Sequence, residues 1–338
     1  MFAELKNMSV TEKYLITGFS GFVSQHFLNY LETNCISAQI LGIDINTPDF
    51  SFRQFQHLKC DFQKVDLLNK IQVEEIVCAF KPNYVLHLAS YSSVAFSWKN
   101  PVESFANNTT IFLNLIETIR LSGIKCRILS IGSSEEYGNV SSDDLPLKED
   151  HNLKPLSPYA VARVSQEMLS KVYVDSYGMD IILTRSFNHI GTHQKDIFVI
   201  SSFAKQLVEL KKLNSTVKEL TTGDTSIIRD FVDVRDVVYA YYLLFKKGKK
   251  GEIYNVCTGK GTSLNEIIQM MTSLLDMDVA HHINQQLVRP NDNKIIIGSN
   301  QKIRQDTGWE ISFSLERSLK DILVYYEEQV LNPKSLNP

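Results

Sequence analysis

Short apolar runs recur along the first half of the chain, separated by polar-faced segments with a helical repeat. KYLIT (13–17), QILGID (39–44), YVLHLAS (84–90), CRILSIGSS (126–134) and DIILTRS (180–186) are near-continuous in Ile, Leu and Val. That pattern fits strands buried on both faces. Segments near 21–33, 65–80, 101–121 and 157–176 space their apolar residues as amphipathic helices do. Strand–helix alternation of this kind predicts a parallel sheet covered on both sides, with right-handed crossovers: a doubly wound α/β fold.

After about Asn188 the rhythm changes. Helical patterns near 197–212, 234–247 and 315–330 mix with short strands such as IYNVC (253–257). This predicts a smaller α/β lobe over 188–338, interleaved with the domain formed by 1–187. KKGKKGE (246–252) is expected to be a solvated basic turn.

Length and composition narrow the class. A chain of 338 residues with 43% hydrophobic and 22% charged positions is ordinary for a globular enzyme. A formal charge of −3 argues against a general nucleic-acid binder, which needs a basic surface. Cysteines 35, 60, 78, 126 and 257 are scattered and never spaced as CxxC, so reduced thiols are expected. The start lacks an apolar core typical of secretory signals, and no apolar run approaches the ~18–20 residues needed to span a bilayer. A cytoplasmic protein with no membrane or nucleic-acid partner is expected. His281–His282 has no further ligands at metal spacing, so no metal site is assigned, and the pair is expected in a solvated turn. His87 reads as a satisfied core histidine, and Trp98 as a border of the ligand pocket or a packing residue.

Candidate chemistry begins where the first strand meets the first helix. YLITGFSGFVSQHF puts Gly18 and Gly21 in that turn, with Phe19, Ser20 and Phe22 around them. Helix N-terminal amides lack intrahelical partners and suit a pyrophosphate, while glycine permits its close approach. The spacing is GxxGxxS, and Ser24 fills the third position with a small side chain. Asp44 ends the second strand, where a carboxylate accepts bonds from an adenosine ribose and repels a 2′-phosphate. NAD(H) is therefore favoured, with NADP(H) the alternative. Asp61 and Phe62 are placed after the next strand, bordering the adenine, and Leu88, Ala89 and Ser90 end a further strand on the same edge.

SPYAVARVSQE (157–167) carries the reactive candidate. An ordinary phenol ionises near ~10, a poor match for proton transfer at neutral pH, and a neighbouring cation favours its anion. Tyr159 and Arg163 stand at i and i+4 and so share a helix face. Ser157 and Pro158 form an N-cap and an N1 proline that fix where the helix begins. IGSSEEYG (131–138) ends a strand on the same edge and offers Ser133 and Glu135. In the second half, Arg229 and Arg289 each lie beside an aspartate, and guanidinium forks suit a diphosphate. Asp233 and Asp236 read as stabilisers of a helix start.

TGFSGF, HLAS, SSEEYG, SPYAVAR, RSFNHIG and RDFVDVRD occur in the order seen in the extended short-chain dehydrogenase/reductases that act on nucleotide sugars, and the chain resembles them over about 13–330. Within that NAD-dependent epimerase/dehydratase family it is most similar to the GDP-4-keto-6-deoxy-mannose reductases, through SSEEYG, NHIG, YNVCTG, VRP and DTGW. The resemblance implies a Rossmann-type domain with a nucleotide-sugar lobe. It implies reduction of the C4 ketone of a nucleotide-linked, GDP-favoured 4-keto-6-deoxy sugar for surface-glycan synthesis. It further implies that Tyr159 is the general acid, Ser133 its partner at the carbonyl, and Tyr159 and Arg163 contacts of the cofactor. Asn188, Lys205, Arg229, Arg289 and Asp292 would be substrate contacts, with Ser133 among them. A homodimer through a four-helix contact of 101–121 and 157–176 is also implied. Arg163 departs from the family's YxxxK. Two other readings stay open: a 4,6-dehydratase or epimerase, for which Glu135 aligns with the dehydratases' glutamate, and a low-turnover binding protein.

Overall fold

The computed structural model describes residues 11–213, 218–288 and 293–331. Its first half runs β1 (Glu12–Thr17), α1 (Phe22–Thr33), β2 (Ala38–Asp44), β3 (Leu58–Lys64), α2 (Lys70–Phe80), β4 (Tyr84–His87), α3 (Val94–Lys99), α4 (Pro101–Ser122), β5 (Arg127–Ser133), α5 (Pro158–Tyr177) and β6 (Asp180–Ser186). The second half adds β7 (Asn188–Ile190), α6 (Val199–Lys212), β8 (Glu219–Thr222), β9 (Ile228–Asp233), α7 (Val234–Lys247) and β10 (Ile253–Val256). It closes with β11 (Gly261–Ser263), α8 (Leu264–Leu275), β12 (Ala280–Ile283), β13 (Ile295–Ile296), α9 (Gln301–Thr307) and α10 (Leu315–Leu331).

Seven parallel strands lie in the order β10-β6-β5-β4-β1-β2-β3. The chain winds outward from β1 through β2 and β3, then returns to β4 on the other side. β1 and β4 are thus the pair at which the winding reverses, and ligands of such sheets bind beyond the carboxyl ends there. On one face, Phe27, Tyr241, Phe245 and Trp309 pack against Tyr14 and Ile16 of the sheet. On the other, Val77, Leu115, Ile116 and Tyr173 cover Leu15, Ile128 and Ile181. A separate core joins α6, α8 and α10 through Phe203, Leu207, Ile267, Leu319 and Ile322. That lobe has a small sheet of β11, β9 and β13 with β7 on β9, and a parallel pair of β8 and β12.

Five expectations change. YVLHLAS is a strand only to His87, because the Ala89 amide turns to the Thr17 hydroxyl at 3.2 Å. Asp61 and Phe62 lie inside β3, an edge strand whose alternating Lys59, Asp61 and Gln63 hide it from a search for apolar runs. IYNVC does not stay with the second lobe; β10 pairs with β6 and completes the large sheet. His281 and His282 sit in β12, exposed, and not in a turn. In KKGKKGE only the later residues form a turn: Lys246 lies in the last turn of α7, against the rings of Tyr84, Tyr242 and Tyr14, and pairs with Glu12. Among the described residues, no helix is long and apolar enough to cross a membrane.

Candidate active site

The glycine-rich turn is built for close backbone approach. Gly18 has φ +68°, and a Cβ there would lie 2.7 Å from the Ala89 nitrogen and 2.8 Å from the Leu88 carbonyl carbon. Glycine at this position therefore lets the β1–α1 turn touch the segment after β4. Gly21 precedes α1 in extended conformation and provides no side-chain cap, so the first amides of α1 keep their outward donors. Ser24 is fully buried beneath the turn, its Oγ without a partner, as a small residue in the third position should be.

Other sequence-selected residues converge there in different ways. Asp44 Oδ2 accepts from the Ser20 amide at 3.0 Å and the Ser20 hydroxyl at 2.7 Å, while Oδ1 accepts from the Asn46 amide at 2.9 Å. This holds the carboxylate against the glycine-rich turn. Phe19 is fully buried, stacked on Phe62 at 5.9 Å and edge-on to Phe52 at 5.4 Å. Its ring is a core wedge under the turn, pressed on Gly42, so its part in a cofactor site is to hold the loop. Asp61 is exposed on β3. Phe22 opens α1 with its ring near His26 and His189. Leu88 and Ala89 line the turn through their backbone, and the Ser90 hydroxyl is buried without a partner. His87 is only half satisfied, contrary to expectation: Nδ1 meets Thr17 Oγ1 at 2.9 Å, but the buried Nε2 has no partner. Burial, helped by the charge of Arg163, lowers its ring to about 3 and keeps it neutral.

Tyr159 sits on the first turn of α5, and local chemistry fixes that start. Ser157 Oγ accepts from the Ala160 amide at 3.1 Å, Pro158 follows at N1, and Gly178 at φ +66° ends the helix. α5 is clamped to the sheet by a buried bidentate pair, Arg185 on β6 with Glu167, at 2.9 Å in both bonds. Tyr159 is 6% exposed, and its Oη accepts from Arg163 Nε at 3.2 Å. The helical spacing read from the sequence does bring phenol and guanidinium together.

Ser133 ends β5, paired in register with Ser186. Its hydroxyl accepts from the Glu135 amide at 3.2 Å, and its own amide donates to Glu136 Oε1 at 2.6 Å. A 3₁₀ turn over Ser134–Glu136 leaves Glu135 half-buried and Glu136 fully buried. Burial, reinforced by the charge of Glu167, pushes the Glu136 carboxyl up to about 8, which favours its protonated form.

The second lobe places its candidates unevenly. Asn188 opens β7 directly after β6. Arg229 is buried in β9, donating to the carbonyls of Ile228 at 3.0 Å and Asn293 at 2.7 Å. Lys205 is half exposed and paired with Asp196 at 2.6 Å. Arg289 and Asp292 lie outside the described residues. Trp98 is exposed on α3. Asp233 caps α7 at the Arg235 amide, as expected, whereas Asp236 reaches past its own helix to the amides of Ser312 and Phe313. Sequence reading missed Gln166 and Glu136. The first was legible in principle, three residues after Arg163 on the same helix face. The second depends on which way a 3₁₀ turn points.

The chain matches the family model described as GDP-mannose 4,6 dehydratase over residues 15–322. It is 30% identical over 321 residues to GDP-6-deoxy-D-mannose reductase of Pseudomonas aeruginosa, covering 95% of this chain and 99% of that protein. Among solved structures it resembles RMD of Pseudomonas aeruginosa complexed with NADPH, with TM-score 0.80 and 29% identity over 94% of this chain and all of that one. It also resembles UDP-glucose 4-epimerase of Thermotoga maritima with UDP-glucose, at TM-score 0.81 and 26% identity over 94% and 99% of the two chains. A parallel sheet with a glycine turn at its reversal point, a tyrosine bonded to a cation one helical turn on, and this full-length likeness lead to one assignment: the chain belongs to the GDP-mannose 4,6 dehydratase family.

Proposed function

We propose that the protein reduces the C4 ketone of a GDP-linked 4-keto-6-deoxy sugar, using NADH or NADPH. The observation that carries this reading is the Tyr159 hydroxyl, bonded to Arg163 Nε at 3.2 Å on α5, which packs against β5 with Ser133 at its end. The full-length likeness to a GDP-6-deoxy-D-mannose reductase supports the substrate class. The left-handed Gly18, the uncapped start of α1 and the unpartnered Ser90 hydroxyl fit a dinucleotide, with Gly18, Ser20, Gly21, Phe22, Asp44, Ser90, Tyr159 and Arg163 as the residues that would hold it. Reduced nicotinamide, when bound, supplies the hydride to the sugar carbonyl carbon.

The chain's own residues manage the oxygen. Tyr159 gives its proton to the carbonyl oxygen as the C–H bond forms, so the sugar leaves as an alcohol and the phenol as a phenolate. Arg163 stabilises that phenolate through Nε–H, a charge-assisted bond in a site closed to water. The Ser133 hydroxyl donates to the same carbonyl oxygen while accepting from the Glu135 amide. Arg229 and Arg289 neutralise the diphosphate, with Asn188, Lys205 and Asp292 as further contacts of the nucleotide sugar. Residues 1–187 then serve the cofactor and 188–338 the sugar nucleotide, although β10 and α7 return to the first unit.

A dimer fits two exposed apolar stripes. Val102, Phe105 and Leu113 follow helical spacing on α4, as do Val161, Met168 and Val172 on α5, and the two helices lie side by side. Two such pairs would bury each other's stripes in a four-helix contact. Five unpaired cysteines suit the reducing cytosol.

The test is turnover of GDP-4-keto-6-deoxy-mannose with NADH or NADPH, followed by loss of reduced-nicotinamide absorbance. Glu135 favours one second reading, dehydration, because it is half-buried beside Ser133 on the same turn. A 4-keto product from GDP-mannose and NAD⁺, with no reduction of the 4-keto sugar, would replace the reductase reading by that one.

A further inference from the structure

Arg163 is anchored by a residue three positions further along α5. Its Nη1 donates to the Ile131 carbonyl at 2.9 Å and to Gln166 Oε1 at 2.7 Å, while Nε serves Tyr159. Gln166 is 1% exposed and belongs to a chain of buried dipoles. Its Nε2 donates to Ser130 Oγ at 2.9 Å and to Ile131 O at 3.2 Å, and Ser170 Oγ donates to the same serine at 3.3 Å. The direction of the amide follows from valence. A guanidinium only donates and a carbonyl only accepts, so Oε1 must face Arg163 and Nε2 must face Ile131. The flipped amide would set donor against donor and acceptor against acceptor.

Among the described residues, the three hydrogen-bond partners of Arg163 are neutral oxygens. The nearby imidazoles are neutral as well: burial, aided by Arg163 itself, holds His87 near about 3 and His189 near about 4. A buried cation held by dipoles alone, with no carboxylate bonded to it, keeps its field for the phenol oxygen. An arginine fork is planar and must be aimed, unlike a compact ammonium that works from any approach.

We propose that Gln166 is a positioning residue: by holding Nη1 of Arg163 it aims Nε at the Tyr159 oxygen, which allows arginine to serve at this position. The inference rests on the reading of Tyr159 as proton donor.

The test combines two substitutions in the full chain. Gln166→Leu removes the amide, and Gln166→Asn withdraws it by one methylene should the leucine variant not fold, folding being checked by thermal melting. Either variant should lower kcat about tenfold or more, with KM for both substrates little changed, since misplacement of a catalytic group by about 1 Å has effects of that size. In an Arg163→Lys background the same change should alter kcat by less than about twofold, because the lysine needs no second anchor. Equal losses in both backgrounds, or none in the native one, would overturn the proposal. An arm independent of turnover measures hydrogen exchange at Arg163 Nε by ¹⁵N NMR. Exchange at least about tenfold faster in the Gln166 variants is expected, and unchanged exchange would also overturn the proposal. Failure to reduce any 4-keto sugar would sink the functional reading, while this arm still decides the role of Gln166.

Discussion

In the proposed reaction the proton comes from the Tyr159 hydroxyl, and Tyr159→Phe removes it with almost no change in volume. Turnover should fall about 10²–10⁴-fold, the usual contribution of a positioned proton donor, while the binding of reduced nicotinamide, read by fluorescence, stays close to native. A mutant that retains most of its kcat would mean that the proton comes from elsewhere. Glu136 behaves as a neutral acceptor rather than an acid of the reaction. Its Oε1 takes the Ser133 amide, its other oxygen is buried without a partner, and its carboxyl is pushed up by burial to about 8. Glu136→Gln should therefore be tolerated, because the amide copies a protonated acid. Glu136→Leu leaves the buried amide unpaired and should cost about 1–3 kcal/mol in denaturant unfolding. Loss of stability with glutamine equal to that with leucine would show that the charged form is the one required.

α5 shows what one element can carry. Its N-cap and N1 proline, its Tyr159–Arg163 face, its anchor to β6 and its exposed apolar stripe all belong to a single twenty-residue helix. The cap and the reactive pair were legible because both depend on near neighbours: Ser157 with Pro158, and Tyr159 with Arg163. The Arg185–Glu167 clamp was not, because it joins residues that meet only when β6 lies beside the helix. The exposed stripe gives a direct test. Met168→Glu places a charge in the middle of the proposed contact, where it would be buried without a partner. The native chain should run as a dimer in size-exclusion chromatography and light scattering, and the variant should shift to monomer with its far-UV spectrum unchanged. A variant that still dimerises would place the contact on another surface.

At the scale of the whole molecule, Asp236 ties α7, which covers the large sheet, to the segment that leads into α10. It lies on α7 against the large sheet, yet its carboxylate accepts from the Ser312 and Phe313 amides at 3.0 and 3.1 Å, just before α10. Its carbonyl takes the indole N–H of Trp309 at 2.9 Å, and that ring is fully buried. Burial raises the carboxyl to about 6, against about 3.9 for an unfolded aspartate. Between those values the folded state binds the proton more tightly than the unfolded one. Stability owed to this group must therefore fall as pH rises from about 4 to about 6. The stability difference between native protein and Asp236→Asn, measured by denaturant unfolding across that range, should decline with pH. A difference that grows with pH would mean that the folded site prefers the carboxylate.

Much of the proposed cofactor side was written in the chain order. Gly18, Gly21, Ser24 and Asp44 follow from a strand, a tight turn and the next strand, and each is set by residues within reach of a single crossover. Tyr159 and Arg163 were legible for the same reason, since a helix fixes what stands four residues apart. Tertiary structure alone decided the rest. It put β10 into the first sheet, buried Phe19 as a wedge under its own turn, closed Glu136 over the Ser133 amide and set Arg229 of β9 against the Asn293 carbonyl. It also set Gln166, a residue with no charge and no motif, against the guanidinium of Arg163. Local sequence specifies spacing along an element. Which dipole meets which ion depends on segments far apart in the chain, brought together only when the sheet assembles.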